Sequence, residues 1–387
     1  MGLAPFLSAK EAAEALGVSL PTLYAYTSRG QLRSEPLAGR TRARRYFRQD
    51  IERLLERKET RRDPAAAAVR GLHWGSPVLS SGITLIHDGK LYYRGRNVAA
   101  LAETATLEQI AGLLWESPEG ERLFDQAAPP VSAKGSALVR MQTMLPAADA
   151  TDPAASDLRP AAVRRTGARI LRLLTTAIAG RHSRTPVHQA LQAAWAPGNA
   201  DAGEAIRTAL VLSADHELNV STFTARCAAS AGATPYDAVS AALATLKGSR
   251  HGGETRRVAA LLAEAASPRR ARTAIAGRLR RGEKVPGFGH PLYPKGDPRA
   301  ALMMSMASDR LARALASAAG ELLDERPNLD FGLVALARTH RLPEDAPILL
   351  FALGRTVGWI AHVMEQYSSD ALIRPRANYT GPPPDLS

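Results

Sequence analysis

A mainly α-helical protein with a small helix-turn-helix unit ahead of it is the fold class this sequence predicts, on three observations. Hydrophobic residues make up 45% of the chain but aromatic residues only 5%, which suits closely packed, alanine-rich helices better than a β-sandwich built on Val, Tyr and Trp. Through the second half of the chain, Ala/Leu/Arg-rich runs follow one another, interrupted by clusters such as Ala196-Pro197-Gly198-Asn199, which end one helix and begin the next. Residues 7–59 carry caps, turn glycines and a basic run of their own.

Taken in order, Ser8 is placed to cap a helix with Ala9, Ala12, Ala13 and Leu16 on its apolar side, and Gly17 is placed to end it. Ser19 is expected to cap a second helix, with Pro21 in its first turn and Leu23 facing inward. Arg40-Thr41-Arg42-Ala43-Arg44-Arg45-Tyr46 reads as a basic wing leading to a strand, and Asp50 is expected to open a closing helix with Ile51, Leu54 and Leu55 on one side. Helix, glycine-containing turn and helix form a helix-turn-helix signature. This unit is assigned to residues 1–60, a linker to 61–70 and a second domain to 71–387. In the second domain, β-rich runs on either side of Asp88-Gly89 predict a hairpin, and helices follow.

Length, charge and cysteine narrow the function classes. At 387 residues the chain can bury a large core. A single cysteine, Cys227, excludes an internal disulfide and a cysteine-based zinc cluster, and suits a reducing cytoplasm. No metal site is expected. No uninterrupted apolar run approaches a membrane span, and the N-terminus lacks the pattern of an export signal, so no membrane partner is expected. The net charge of +13 fits nucleic acid or acidic small molecules as partners. It is densest at the N-terminal end, where residues 1–63 carry a net +5.

Several short motifs hold residues able to do acid–base chemistry on a carboxylated substrate. His216 lies in Asp215-His216-Glu217, ahead of a helix-like run. His251 precedes Gly252-Gly253, whose lack of side chains lets a ligand approach the backbone; a following helix N-terminus would hold the imidazole neutral. His290 ends Gly287-Phe288-Gly289-His290, and Arg299 in Asp297-Pro298-Arg299 offers a planar fork for a carboxylate. Asp330 sits between Leu329 and Phe331, where burial would make its carboxylate a stronger base. Arg355 lies within an apolar helix and needs a partner, a structural carboxylate or a ligand. Taken singly, each of the other residues also fits a turn, cap or surface loop.

Two resemblances join these pieces. Leu7-Ser8-Ala9-Lys10-Glu11-Ala12-Ala13, Leu16-Gly17-Val18-Ser19, Thr22-Leu23-Tyr24, Gly30, Arg45-Tyr46 and Asp50-Ile51 resemble the MerR/excisionase class of winged helix-turn-helix domains. The resemblance implies DNA as a partner, contacted through Ser19, Thr22, Tyr24, Tyr26, Arg29, Arg40, Arg42, Arg44 and Arg45. From Ser80 to Gly381 the chain resembles citrate synthase. Six motifs occur in the family's order: Tyr93-Arg94-Gly95; Ala214-Asp215-His216-Glu217 with Asn219 and Ser221-Thr222; His251-Gly252-Gly253; Gly287-Phe288-Gly289-His290 with Asp297-Pro298-Arg299; Pro327-Asn328-Leu329-Asp330-Phe331; and Gly354 to His362 with Arg374-Pro375-Arg376 and Tyr379-Thr380-Gly381.

The second resemblance implies a large and a small all-helical domain, the small one approximately 235–340 and inserted in the large one, and a homodimer. Its substrates would be oxaloacetate and an acyl-CoA, with no further cofactor. Asp330 would be the base, His251 the donor to the enol and His290 the acid. His216, Arg299, Arg355 and Arg374 would hold oxaloacetate or citrate, with Arg374 given across the dimer interface. Lys284, Val285, Gly287 and Gly289 would hold CoA. The chain departs from the family at Gly332-Leu333 after the base, Ser249-Arg250 before His251 and Pro291-Leu292 after His290. These changes leave open a 2-methylcitrate synthase, or a DNA-binding regulator that senses metabolites through a synthase-like domain.

Overall fold

The structure is a computed structural model and describes residues 6–36, 44–48, 50–51, 54–55, 78–119, 121–125, 129–369, 371–377 and 379–384. The chain divides into two compact units, Met1–Ser80 with Arg376–Ser387, and Ser81–Pro375. The expected linker at 61–70, and Arg40 and Arg42 of the expected wing, lie outside the described residues.

In the first unit, β1 (Phe6–Ser8) leads into α1 (Ala9–Leu16), then α2 (Leu20–Ser28), β2 (Ser34–Pro36) and β3 (Arg44–Phe47). The strands form an antiparallel sheet in the order β1-β3-β2. Ser8 caps α1 reciprocally: its side chain accepts the Glu11 N–H while the Glu11 carboxylate accepts the Ser8 N–H. Gly17 closes the helix at φ 60°, a left-handed conformation that glycine adopts without strain. Ser19 differs from expectation: its hydroxyl pairs with Thr22 Oγ1 at 3.0 Å, and no side-chain cap of α2 forms. Asp50 also differs. Arg48 before it is already helical, and the Asp50 carboxylate takes the backbone N–H and the guanidinium of Arg33. Leu7, Ala12, Leu16, Leu23, Tyr46 and Ile51 form the core.

The second unit opens with β4 (Thr84–His87) and β5 (Lys90–Tyr93), joined at Asp88-Gly89 with both residues at positive φ, and extended by β6 (Arg96–Asn97). That is the turn geometry an Asp-Gly hairpin favours. Helices follow: α3 (Val98–Thr104), α4 (Leu107–Leu114), α5 (Ala137–Asp149), α6 (Pro160–Ala179), α7 (Val187–Trp195), α8 (Ala200–Ser213), α9 (Val220–Ser230) and α10 (Pro235–Leu246). Next come α11 (Glu254–Ala265), α12 (Ala271–Arg280), α13 (Pro298–Met306), α14 (Arg310–Leu323), α15 (Leu329–Thr339) and α16 (Ala346–Tyr367).

The central helix of this unit is α16, which packs on α6, α8, α9 and α10. Among the described residues it alone has the length and hydropathy of a membrane span, but 94% of its apolar window is buried inside the fold, as for a core helix. Gly354 and Gly358, one helical turn apart, let it press on the end of α8. A Cβ at Gly354 would meet Leu210 O at 2.7 Å, and one at Gly358 would overlap Asp215 and Ala214 O. The Gly358 N–H also donates to Ala214 O at 3.0 Å. This close approach fixes the turn that carries His216.

Candidate active site

Three loops and three helices bring the sequence-predicted residues together. His216 lies in the turn between α8 and α9, His251 in the turn before α11, and His290 in the loop between α12 and α13. Arg299 opens α13, Asp330 stands in the first turn of α15, and Arg355 comes from α16.

His216 is buried, and its Nε2 pairs with the Tyr293 hydroxyl at 3.0 Å. Its ring meets that of His290 edge-on, with centroids 5.1 Å apart. Burial and then the positive Arg299 and Arg355 hold His216 well below its ordinary pKa. Burial and then Arg299 bring His290 down to about 4. His251 is brought down to about 3 by burial and then by Arg355. Burial thus leads where the sequence pointed to a helix N-terminus, but the direction is the expected one. All three rings are neutral at pH 7, and a neutral imidazole can donate one N–H without the repulsion a cation would meet beside two arginines.

His251 Nε2 lies 2.8 Å from Ser221 Oγ, which also donates to Asn219 Oδ1 at 2.8 Å and accepts the Trp359 indole N–H. Phe351 stands edge-on to the same imidazole. Leu292 donates its backbone N–H to His290 Nδ1 at 3.2 Å.

The arginines are held by protein groups that leave them charged. Arg299 forms a two-pronged pair with Asp297 at 2.9 and 2.7 Å, and Asp297 also accepts the Leu329 N–H at the start of α15. Burial alone would raise the Asp297 pKa, but Arg299 pulls it below the usual carboxylate range. Arg355 is 1% exposed, donates from Nε to Ser213 O at 2.9 Å and lies over the Phe351 ring. Burial lowers it to about 10, still cationic at pH 7.

Asp330 differs from the other carboxylates. Its Oδ1 is sealed from solvent and takes no hydrogen bond. Burial first, and the negative Glu254 second, push the carboxyl up to about 8 against the pull of Arg299. A carboxylate with that pKa is a far stronger base than one in water.

Lys284, Val285 and Gly289 line an open cleft of about 680 Å³ together with His290, Tyr293 and Arg326. Gly287 is instead buried beneath it: a Cβ there would meet Val258 at 2.7 Å and Phe331 at 3.0 Å, and its φ is 88°. Arg374 lies exposed in the irregular segment after α16, and among the described residues no contact or charge interaction joins it to the cluster.

Of the DNA-contact residues expected in the first unit, Tyr24 is 52% exposed and Arg29 is exposed at the end of α2. Tyr26 packs on the core. Arg44 bonds Ser34, and Arg45 pairs with Glu35 over the Phe6 ring.

Sequence reasoning missed the roles of four groups. Tyr293 lies in the loop after His290 and holds His216 across 77 residues, so no local pattern marks its role. Ser221 was visible only as part of a motif. Glu254 opens α11, and nothing in its neighbours marks it. His362 pairs with Asp215 at 3.3 Å across 147 residues, which no local pattern could reveal.

Comparison with known proteins follows the same division. Residues 122–376 match the family model described as citrate synthase, C-terminal domain, and residues 6–59 match one described as helix-turn-helix domain. Citrate synthase 2 of Bacillus subtilis is 31% identical over 361 residues, covering 81% of this chain and 96% of the relative. A 2-methylcitrate synthase of Shewanella oneidensis is 30% identical, covering 82% and 95%. In fold, the chain resembles the citrate synthase of Thermoplasma acidophilum, solved as a ternary complex with carboxymethyl coenzyme A and oxaloacetate, with a TM-score of 0.69 at 24% identity over 82% of this chain and 97% of that one. The chain belongs to the citrate synthase family and carries a helix-turn-helix domain at its N-terminal end.

Proposed function

We propose that this protein condenses acetyl-CoA with oxaloacetate to give citrate and CoA. The observation that carries the reading is Asp330, a carboxylate of raised basicity whose Oδ1 is buried without a hydrogen-bond partner, set among two neutral histidines and two buried arginines. Asp330 takes a proton from the thioester methyl group while His251 donates an N–H to the carbonyl oxygen, forming an enol rather than a free carbanion. The enol carbon attacks the oxaloacetate ketone, and His290 gives its proton to the oxygen as the C–C bond forms. Water then cleaves the thioester, releasing CoA.

His216, Arg299 and Arg355 hold the carboxylates, and Arg374 is proposed to reach the equivalent site of a second copy. The 680 Å³ cleft beside Lys284, Val285 and Gly289 is the place for the CoA arm. Closure of the segment approximately 235–340 over the site would exclude water during condensation. The first unit is proposed to bind DNA through α2, led by the exposed Tyr24.

A propionyl-CoA substrate is the second reading, favoured by the comparable identity to a 2-methylcitrate synthase. One methylene separates the two by only about 1–3 kcal/mol. Thiol release from acetyl-CoA and from propionyl-CoA, each with oxaloacetate, distinguishes them by the ratio of kcat/KM. No thiol release with either would overturn the condensing reading.

A further inference from the structure

Glu254 connects the three parts of the site and has no place in the reaction just described. It is the first residue of α11, directly after the His251-Gly252-Gly253 turn, and its backbone N–H donates to His251 O at 2.8 Å. Its Oε1 accepts the Gly287 N–H at 3.3 Å, in the loop before His290. Its Oε2 pairs with Arg257 at 3.0 Å, one turn along the same helix. The side chain is mostly buried, at 20% exposure, so its charge is poorly screened. Gly287 itself packs on Phe331, the residue after Asp330.

We propose that Glu254 is a positioning residue for the Asp330 base: the Gly287 N–H holds its carboxylate beside the loop that packs on Phe331, so that its negative charge stands near Asp330 and favours proton uptake there. This inference rests on the role given to Asp330 in the proposed reaction. The charged groups that face Asp330 come from three elements. Glu254 on α11 and Asp297 before α13 repel its charge, while Arg299 on α13 and Arg355 on α16 attract it. The Asp297 charge is matched by its two-pronged pair with Arg299. Among the described residues Glu254 has its ion pair with Arg257, itself 45% exposed. Glu254 is therefore the largest unbalanced negative neighbour of the base, and burial alone acts more strongly in the same direction.

Glu254→Gln provides the test, because the amide keeps an oxygen for the Gly287 N–H and removes only the charge. The full-length protein would be labelled with 13C at aspartate carboxyls, with the Asp330 signal assigned by its loss in Asp330→Asn. In Glu254→Gln the Asp330 titration is expected to move down by about one pH unit. In Arg257→Gln, where Glu254 loses its counter-charge, a smaller upward move is expected. The acid limb of kcat/KM for thiol release should follow both shifts. An Asp330 titration in Glu254→Gln that superimposes on the wild type would overturn the proposal. The carboxyl titration needs no turnover, so an inactive wild type would count against the condensing reading while leaving this test intact.

Discussion

The backbone N–H of Leu292 donates to Nδ1 of His290 at 3.2 Å, which leaves Nε2 as the protonated nitrogen of the neutral ring. The proposed acid therefore delivers its proton from Nε2, and a main-chain group sets that choice. Pro291-Leu292 departs from the family's usual neighbours of this histidine, but the departure spares the bond because any residue except proline supplies the same N–H. Leu292→Ala should keep kcat within about twofold. Leu292→Pro removes the donor and should lower kcat by roughly tenfold or more. Equal kcat in the two variants, measured by thiol release with circular dichroism confirming the fold, would show that the bond does not set the tautomer.

Ser221 has one hydroxyl hydrogen and two neighbours at 2.8 Å able to accept it, Asn219 Oδ1 and His251 Nε2. If the hydrogen stays on Asn219, His251 carries its own hydrogen on Nε2 and points it at Ser221. If the hydroxyl turns to Nε2, Nδ1 carries the hydrogen and is free to donate to a thioester oxygen. Turnover by the proposed mechanism needs the second arrangement. Ser221→Ala should lower kcat by about ten- to a hundredfold, with a smaller effect on the KM for oxaloacetate. A kcat within twofold of the wild type would exclude Ser221 from orienting the ring.

Much of this molecule is legible in the sequence, and what is not has a physical reason. Ser8 with Glu11, and Asp88-Gly89, are local: the residues that make each bond lie within a few positions, so the pattern names the structure. Asp330, His251, His290, Arg299 and Arg355 stand out singly by residue type, the family resemblance joins them into one site, and the fold gathers them around one centre. The supporting contacts are long-range. Tyr93 reaches the Asp215 turn through a hydroxyl that donates to Val211 O and accepts the Asp215 N–H across 122 residues. Thr84 donates to Asp215 at 2.6 Å from the other hairpin strand. No periodicity encodes such pairs. Even the local cap expected at Ser19 failed, because Thr22, three residues on, offers its hydroxyl a competing partner.

Asp297 couples the arginine to the base. Its two oxygens take the Arg299 fork, and Oδ2 also takes the Leu329 N–H at the entrance to α15, one residue before Asp330. Both members of the pair are at most 3% exposed. Asp297→Asn leaves a buried guanidinium without its counter-charge, which should destabilise the protein by about 3–5 kcal/mol. Activity should fall with it, since the start of α15 loses an anchor. Chemical denaturation of the variant checks the first outcome, and a loss below about 1 kcal/mol would show that solvent reaches the pair.

DNA binding by the first unit has its own test. Contacts with phosphate release counterions, so affinity should fall at least about tenfold between roughly 50 and 200 mM salt. Tyr24 is exposed on α2, and Tyr24→Ala should weaken binding without unfolding a core to which it contributes little. Fluorescence anisotropy on duplex DNA measures both effects. Binding that survives removal of residues 1–63 would assign it to another surface.

The pH dependence of stability follows from two opposed groups of residues. His216, His251 and His290 have folded pKa values below that of a free imidazole, about 6.5. As pH falls below that value the unfolded chain binds protons that the folded chain refuses, so stability is lost toward the folded values of about 4 for His290 and about 3 for His251. Asp330 acts in the other sense. Its folded value of about 8 lies above the unfolded carboxylate range near 4, so the unfolded chain gives up the proton first and stability falls as pH rises through that interval, levelling off above about 8. Below about pH 6.5 the three histidines, joined by His188 and His340, which burial also lowers, outweigh Asp330 and Glu217, which burial raises; of the site groups considered, Asp330 is the one that titrates above it. Tm should therefore peak near pH 6–7 and decline toward pH 8. Asp330→Asn should remove the alkaline decline and raise Tm at pH 8 by several degrees, while abolishing thiol release. An alkaline decline that persists unchanged in Asp330→Asn would mean that this carboxyl is already ionised in the folded protein at neutral pH, and the proposed base would lose the feature that distinguishes it.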